Sequence, residues 1–388
     1  MPNNLPKLKV VSVISTRPDI IKMSEIIKEL DRQTDHILVH TGQNYDYELN
    51  EVFFKDLGVR KPDYFLQAAS SGKGVVSNAV TTIANILTKF DELLDRVKPD
   101  AFMVLGDVNG ALASVYVAKR RKIPVFHMEA GNRSCDERLP EEINRRMIDH
   151  ISDINMTYSD LARQNLINEG LPLRRLIKVG SPMFEVFKNN QKKIQAADIL
   201  KKLKLTSRDY FTISVHRDEN VSDEKNFPKI IAIINTLAET YKKRIIFGVH
   251  PRTKKRIDEL KIKFPKQVEL MKPFGFLDYV KLQTNALCVL TDSGTVSEES
   301  SILNFPAVNL REAHERNEAM DQGSVMMTGL NPERVMQAIA IAIKQKRGTQ
   351  REFYLPDGYG EDNVSKKVVR IIMSYTDYIN RTTWFKEN

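Results

Sequence analysis

The segment His127–Arg146 reads HMEAGNRSCDERLPEEINRR and sets five carboxylates among four arginines. It follows a short apolar run, Ile123–Met128, that predicts a buried strand. In an open α/β sheet the carboxyl ends of the strands face the ligand crevice, so charge gathered there has little use in packing. Carboxylates held among arginines at that place favour acid–base chemistry on an anionic substrate.

Within this segment Glu129 falls just beyond the predicted strand, where a glutamate contributes little to packing. The preceding His127 is interpreted as a hydrogen-bonded histidine of the core. Glu141 and Glu142 open a helix, and either can act simply as a favourable charge at its N-terminus. Glu141 and Arg145 are spaced i,i+4, so they are expected to pair on one helix face, which in a crevice would orient a catalytic carboxylate.

Two other strand ends carry similar groups. Asp107 ends the strand of LGDVN, and both a helix N-cap and a catalytic carboxylate remain open interpretations for it. The first strand ends in STRPDIIK, where Thr16 and Asp19 predict a capping box. Arg17 and Lys22 oppose the dipole of that helix, which favours an anion docked at its start.

The second half repeats the pattern with SVHRDEN, VHPRT and LTDSGTVSEES after successive predicted strands. His216 and His250 suit phosphate contact or proton transfer. Ser293 and Gly294 form a tight turn before a helix whose backbone N–H groups can bind phosphate. Glu299 can serve the helix dipole or bind ribose hydroxyls. The sequence contains no GxGxxG, Walker or HExxH motif and no metal-ligand cluster.

Apolar runs alternate with helical patterns almost throughout, which predicts parallel sheets covered on both faces. We expect two Rossmann-like doubly wound domains facing a cleft. The first comprises residues 1–187, joined by a closing helix at 363–388. A polar helical connection at 188–204 leads to the second domain, residues 205–362.

Composition narrows the function classes for this chain of 388 residues. The formal net charge is +9, but the basic residues are mixed with acidic ones along the chain and form no basic stripe interleaved with aromatic residues. This pattern disfavours nucleic acid as the ligand and favours an anionic metabolite. No apolar run approaches the roughly 18 residues of a membrane span. Two distant cysteines, Cys135 and Cys288, suggest a reduced compartment, so we expect a cytoplasmic protein.

Taken together, these motifs resemble the non-hydrolysing UDP-N-acetylglucosamine 2-epimerase family. The blocks that carry the resemblance span residues 16–319 in order: TRPDIIK, HTGQN, LGDVN, HMEAGNR, PEEINR, SVHRDEN, VHPRT, LTDSGTVSEE and REAHERNEA. The resemblance implies a glycosyltransferase-B-type fold, a homodimer, UDP bound in the cleft, and no metal or other cofactor.

The resemblance also implies roles for single residues. Its catalytic groups fall on Asp107, Glu129, Glu141 and His216. The remaining substrate and UDP contacts fall on Arg17, Lys22, Arg145, His250, Phe274, Tyr279, Ser293, Gly294, Glu299 and Arg316. The implied reaction removes the C2 proton of a UDP-N-acetylhexosamine, expels UDP to give a 2-acetamidoglycal, and reverses both steps on the opposite face.

Several positions depart from the glucosamine-type pattern and are closer to the branch that forms UDP-N-acetyl-L-fucosamine. Asn44 replaces a histidine in HTGQN, which argues against the allosteric substrate site of many relatives. Ser134–Leu139 is shorter than its counterpart, and Thr295 replaces a glycine. The expected substrate is therefore UDP-2-acetamido-2,6-dideoxy-L-talose. The alternatives are UDP-N-acetylglucosamine, a hydrolysing epimerase, a glycosyltransferase and a non-catalytic nucleotide-sugar binder.

Overall fold

A computed structural model describes residues 6–42, 47–69, 75–313 and 316–386, with only the backbone for 47–50 and 75–77. The chain divides into two compact units. Unit 1 comprises Met1–Lys188 and Asp357–Asn388, and unit 2 comprises Asn189–Pro356. Each unit is built on a parallel β-sheet with helices between its strands, which confirms the predicted class of two parallel α/β domains.

The strands described lie in two sheets. They are β1 (Lys9–Ile14), β2 (Asp35–His40), β3 (Tyr64–Phe65), β4 (Ala101–Leu105), β5 (Val125–Ala130), β6 (Ile154–Thr157), β7 (Leu176–Lys178), β8 (Tyr210–Ser214), β9 (Arg244–Gly248), β10 (Val268–Met271), β11 (Cys288–Thr291), β12 (Ala307–Asn309) and β13 (Met326–Met327).

The helices described separate these strands. They are α1 (Arg17–Gln33), α2 (Tyr47–Leu57), α3 (Val75–Val97), α4 (Asn109–Arg120), α5 (Pro140–Ile151), α6 (Asp160–Asn168), α7 (Met183–Ala196), α8 (Ile199–Lys202), α9 (Asp218–Val221), α10 (Asn226–Tyr241), α11 (Pro251–Glu259), α12 (Phe276–Asn285), α13 (Val296–Leu303), α14 (Asn317–Asp321), α15 (Pro332–Ala342) and α16 (Val364–Thr382). A 3₁₀ turn lies at Leu173–Arg175.

The sheet of unit 1 has the order β3-β2-β1-β4-β5-β6-β7, and that of unit 2 the order β10-β9-β8-β11-β12-β13. Both contain the doubly wound pattern 3-2-1-4-5-6, in which the chain reverses direction across the sheet beside its first strand. In such sheets the ligand site lies outside the carboxyl ends of the strands near that reversal. These are the ends of β1, β4 and β5 in unit 1 and of β8 and β11 in unit 2.

Helices cover both faces of the first sheet. On one face α4 packs between α3 and α5, and on the other α1 packs against α2 and α16. The first of these cores joins strand residues such as Val11 and Val104 to Phe90 of α3 and Ala113 of α4. Because the strands are covered on both sides, their sequences are largely apolar. The apolar runs predict strands at Lys9–Ile14 and Ala101–Leu105, and β1 and β4 have these bounds.

The expected connection at 188–204 is helical over much of its length, in the second half of α7 and in α8. Two short strands, β3 and β13, have two residues each and carry too little periodicity to be predicted. No helix in the described part of the chain is both long enough and apolar enough to cross a membrane.

Candidate active site

Glu129 occupies an unusual backbone position at the end of β5. Its φ is +70°, and the register between β5 and β6 shifts between Met128 and Ala130. The sequence places Glu129 beyond the strand, and that expectation is wrong: the residue forms a bulge within it. A left-handed non-glycine residue costs on the order of 1–3 kcal/mol and persists where its surroundings enforce it, commonly at functional sites. Because a bulge re-aims its side chain, the fold fixes where this carboxylate points.

Gly131 secures the far side of the bulge. Its φ is +81°, and a Cβ built on it would lie 2.2 Å from the carbonyl oxygen of Ala162 in α6. Only glycine allows so close an approach. The turn after Glu129 is therefore held against α6.

The Glu129 carboxylate is buried and accepts two hydrogen bonds. Lys22 Nζ lies 2.5 Å from its Oε2, and the Tyr158 hydroxyl donates to the same oxygen at 3.1 Å. Lys22 is only 4% exposed and Tyr158 fully buried. Lys22 was expected to contact the nucleotide, but in this structure its ammonium group lies on a protein carboxylate. The cation compensates the charge of a carboxylate that burial would otherwise disfavour.

The start of α1 brings Lys22 to this place. The Asp19 carboxylate accepts the backbone N–H groups of Ser15 and Thr16 at 2.8 and 2.9 Å, which with Thr16 forms the predicted capping box. Burial raises the pKa of Asp19 to about 6, although both backbone hydrogen bonds lower it. Arg17, half-buried, is the first residue of the helix.

Asp107 follows β4, the neighbour of β5 in the sheet. Its Oδ2 accepts Arg145 Nε at 2.9 Å and also contacts Nη2 of the same guanidinium. The N-cap of α4 is Val108, so the capping interpretation of Asp107 is wrong. Asp107 and Glu129 are thus two carboxylates at adjacent strand ends, each beside its own buried cation.

Arg145 does not form the expected ion pair with Glu141. Its second contact is Glu142 Oε2, 2.8 Å from Nη1, and Glu142 is completely buried. The same carboxylate oxygen accepts the backbone N–H and the hydroxyl of Ser134, both at 3.0 Å. Glu142 therefore ties the segment 134–139 to α5, while Glu141 lies partly exposed in the first turn of that helix.

In unit 2 the corresponding strand ends are organised by Asp292, which sequence reasoning did not single out. It is fully buried after β11 and accepts the backbone N–H groups of His216 and Arg217 and the side-chain amide of Asn220. His216 Nδ1 lies 3.4 Å from its Oδ1. An aspartate close behind an apolar run, in the motif LTDSG, was the available signal. Asp292 fixes the loop that carries His216.

His216 is exposed, and its ring centroid lies 6.2 Å from that of His250. His250 caps α11, where its Nδ1 accepts the N–H of Arg252 at 3.4 Å. That acceptor role leaves the proton of a neutral His250 ring on Nε2. The two histidines predicted from separate motifs are therefore neighbours at one edge of the second sheet.

Three guanidinium groups converge on Gly294, in the turn between β11 and α13. A Cβ built there would lie 3.3 Å from Arg316 Nη1, 3.4 Å from Arg217 Nη2 and 3.6 Å from Arg311 Nη1. Arg316 Nε also lies 3.0 Å from the fully buried Glu298, which holds that guanidinium in place. Arg217 and Arg311 were missed, although each lies inside a motif already noted. Such a cluster beside a helix N-terminus suits an anion with several oxygens.

The other predicted contacts of unit 2 lie around the same turn. Glu299 accepts hydrogen bonds from Gln283 at 2.6 Å and Thr295 at 2.9 Å, and Ser293 contacts Thr295 at 3.0 Å. Tyr279 shares a hydrogen bond of 3.0 Å with Ser214, and burial together with the charge of Glu299 raises its pKa.

Phe274 lies at the carboxyl end of β9, where a Cβ on Gly248 would contact its ring at 3.8 Å. Asn44, His314 and Glu315 lie outside the described residues, so their motifs are described only in part. Among the described residues, no group of three or more His, Cys, Asp or Glu side chains is arranged to hold a metal ion.

The chain is similar to known proteins of one family. The family model described as UDP-N-acetylglucosamine 2-epimerase matches residues 28–373. A UDP-N-acetylglucosamine 2-epimerase structure from Rickettsia bellii is similar at 48% identity and a TM-score of 0.89, covering 98% of this chain and all of that one. The Methanocaldococcus jannaschii UDP-N-acetylglucosamine 2-epimerase is 34% identical over 94% of this chain and 99% of its own length.

A relative with a different printed substrate also matches. The Pseudomonas aeruginosa UDP-2,3-diacetamido-2,3-dideoxy-D-glucuronate 2-epimerase is 31% identical over 85% of this chain and 91% of its own length. A family model that matches most of the chain, together with relatives that match it nearly end to end, settles the family. This chain belongs to the UDP-N-acetylglucosamine 2-epimerase family and is an isomerase of that type.

Proposed function

We propose that the protein epimerises C2 of a UDP-N-acetylhexosamine without net hydrolysis. The observation that carries this proposal is the pair of carboxylates at the ends of β4 and β5, Asp107 on Arg145 and Glu129 on Lys22. The C2–H bond is weakly acidic, so a base must be held in place to remove its proton and an acid to return it. One group fixed by a bulge and two fixed by ion pairs with buried cations meet that need.

Unit 1 supplies the proton chemistry in this proposal. Glu129, Asp107 and Glu141 are the acid–base groups, and Lys22 and Tyr158 hold Glu129 in one orientation. Epimerisation needs proton transfer on both faces of C2, so more than one group has to act. The buried Glu142 is a structural carboxylate that fixes Arg145 and Ser134.

Unit 2 binds the nucleotide. The guanidinium groups of Arg217, Arg311 and Arg316 around Gly294 carry the charge needed for a diphosphate. We assign Ser293 and Glu299 to the phosphate and ribose, and Phe274 and Tyr279 to the uracil. His216, Arg17 and His250 complete the proposed contacts, with His216 able to protonate or neutralise the departing phosphate.

The reaction we propose balances within the substrate. A base takes the C2 proton, the C1–O bond to UDP breaks, and a C1–C2 double bond forms in a 2-acetamidoglycal. UDP then re-forms its bond to C1 while C2 receives a proton on the opposite face. Cations on the diphosphate stabilise the charge of the leaving group, which is where preorganised arginines contribute most.

For the sugar we propose UDP-2-acetamido-2,6-dideoxy-L-talose, converted to UDP-N-acetyl-L-fucosamine for a capsule or O-antigen polysaccharide. Support comes from the short segment Ser134–Leu139 and from Thr295 and Asn44, where the sequence resembles that branch. UDP-N-acetylglucosamine is the second candidate, because the Rickettsia and Methanocaldococcus relatives carry that name. We also propose a homodimer acting in the cytoplasm, as the resemblance implies.

Incubation of the purified protein with each UDP-sugar in deuterated water tests the reaction and the sugar together. We expect one deuterium at C2 of both epimers of UDP-2-acetamido-2,6-dideoxy-L-talose, with UDP still attached at equilibrium. Faster exchange of UDP-N-acetylglucosamine would make that sugar the substrate. Stoichiometric free UDP would instead indicate a hydrolysing enzyme, transfer to an acceptor a glycosyltransferase, and binding without exchange of either sugar a non-catalytic binder.

A further inference from the structure

The chain returns from unit 2 to unit 1 at Asp357, and residues 357–361 form a return segment that lies against the end of β6. Oδ2 of Asp357 accepts the backbone N–H of Asp160, just beyond β6, at 2.7 Å. Its Oδ1 lies 2.7 Å from Nζ of Lys178, the last residue of β7. The return segment is therefore held at the carboxyl ends of both strands, at the same edge of the sheet as Glu129.

Gly358 brings the return segment into direct contact with the backbone of Tyr158. Its φ is +75°, and a Cβ built on it would lie 1.9 Å from the carbonyl oxygen of Tyr158. Its own carbonyl oxygen accepts the N–H of Ser181 at 2.8 Å. A second glycine, Gly180, has a φ of +90°, and a Cβ there would lie 3.0 Å from the carbonyl oxygen of Gly358. Only glycine allows these chain segments to approach one another so closely.

Tyr158 connects this contact to the bulge of β5. It is fully buried, and its hydroxyl donates to Glu129 Oε2 at 3.1 Å. Lys22 Nζ, which contacts the same oxygen, lies 6.0 Å from the centre of the Tyr158 ring. Thr157, directly before Tyr158, pairs with Ala130, directly after Glu129. The backbone of Tyr158 thus lies against the return segment, whereas its hydroxyl lies against a candidate catalytic carboxylate.

We propose that Gly358 is a positioning residue for Glu129 and that it acts through Tyr158. The ring of Tyr158 is packed on all sides, so a shift of its backbone carries the hydroxyl away from Glu129. The connection by which the chain returns from unit 2 therefore helps to set the orientation of the bulge carboxylate. The role in catalysis rests on the proposed function, whereas the physical contact between Gly358, Tyr158 and Glu129 does not.

A double-mutant cycle in urea unfolding tests this contact without any substrate. Tyr158→Phe removes only the hydroxyl, whereas Gly358→Ala displaces the backbone that carries it. If Gly358→Ala already breaks the hydrogen bond to Glu129, adding Tyr158→Phe should lower the unfolding midpoint by less than it does in the wild type. Equal decreases in the two backgrounds would overturn the proposal, because sites that do not interact give additive losses.

Kinetics test the positioning role. In Tyr158→Phe and in Gly358→Ala we expect kcat to fall about 10- to 100-fold with KM and UDP affinity unchanged, as for a small misplacement of a catalytic group. The double variant should be no slower than the slower of the two single variants. Gly170→Ala is the matched control and should keep the wild-type kcat. Gly170 also has a positive φ, +87°, but a Cβ there would meet no atom within 4 Å.

A further variant serves if Gly358→Ala does not fold. Asp357→Ala removes the contacts with Asp160 and Lys178 and should lower kcat roughly three- to tenfold, again with KM unchanged. A folded Tyr158→Phe with wild-type kcat, or equal losses in Gly170→Ala and Gly358→Ala, would contradict the proposal. A wild type that exchanges no C2 proton would instead refute the proposed function, and the unfolding cycle would still decide whether Gly358 acts on Glu129 through Tyr158.

Discussion

The two units place charge at the same kind of sheet edge in opposite ways. In unit 1 each carboxylate lies against its own cation, Glu129 with Lys22 and Asp107 with Arg145. In unit 2 three guanidinium groups gather around one glycine. A carboxylate paired with a single cation is held in a defined place, as a proton-transfer group requires. Guanidinium groups that converge on one turn suit an external anion, even though Arg316 also lies against Glu298. In the proposed function, one fold pattern used twice provides the chemistry in one unit and anion binding in the other.

The largest effect on kcat is expected from the loss of the Glu129 carboxylate in unit 1. Glu129→Gln keeps the shape of the side chain but removes its capacity for proton transfer, so kcat should fall on the order of 10²- to 10⁴-fold. The loss should appear in C2 deuterium exchange as well as in turnover. Glu137→Gln, an exposed glutamate of the same segment, is the matched control and should leave exchange intact. If Glu129→Gln exchanges deuterium at C2 as fast as wild type, Glu129 is not an acid or base of the reaction.

A second effect is expected on the stability of unit 1, through the buried His40 at the end of β2. His40 accepts the N–H of Gly42 on Nδ1, and burial lowers its pKa to about 4. The unfolded state therefore takes up a proton first as pH falls, so stability present above about pH 6.5 is lost between there and about pH 4. Urea unfolding should show this loss, about 3 kcal/mol, in wild type and not in His40→Asn. The same acid dependence in both proteins would show that His40 does not titrate in this range.

A smaller effect is expected from one arginine of unit 2. Arg217→Gln removes one of the three guanidinium groups near Gly294, which should weaken UDP binding about 10- to 100-fold, as a charged hydrogen bond of roughly 1.5–3 kcal/mol implies. Calorimetry should show unchanged affinity in Arg252→Gln, an exposed arginine paired with Asp218. If UDP binds both variants equally, the cluster is not the diphosphate site.

The smallest effect should come from Gly294→Ala. The added methyl group would meet Arg316 Nη1 at 3.3 Å and Arg217 Nη2 at 3.4 Å, so both side chains must shift by a few tenths of an ångström. We expect UDP to bind roughly two- to fivefold more weakly, about 0.5–1 kcal/mol. Uridine, which has no phosphate, should bind as before. An equal loss for uridine would mean that the substitution disturbs more than the anion site.

The sequence predicts those parts of the molecule that depend on local periodicity. Buried parallel strands are mostly apolar, so the apolar runs predict β1 and β4 to the residue. Asp107 and Glu129 were singled out because each is a charged residue at the end of an apolar run. The ion-pair partners of a side chain are not determined by local sequence. Arg145 of α5 contacts Asp107, which follows β4, as well as Glu142.

Other features arise only from tertiary neighbours. The left-handed backbone at Glu129 depends on the register between β5 and β6, and no residue type in this segment predicts it. The convergence of Arg217 and Arg311 on Gly294 brings together segments that are remote in the chain. The three groups that donate hydrogen bonds to Asp292 are likewise known only from the structure.

The division of roles between the units is the central claim, and the affinity of Glu129→Gln for UDP tests it most directly. Calorimetric titration should give the same dissociation constant as wild type, because Glu129 is not among the proposed nucleotide contacts, most of which lie in unit 2. An inactive variant that still binds UDP fully is the predicted result. A loss of UDP affinity as large as that of Arg217→Gln would contradict the account, since it would place Glu129 in nucleotide binding rather than in proton transfer.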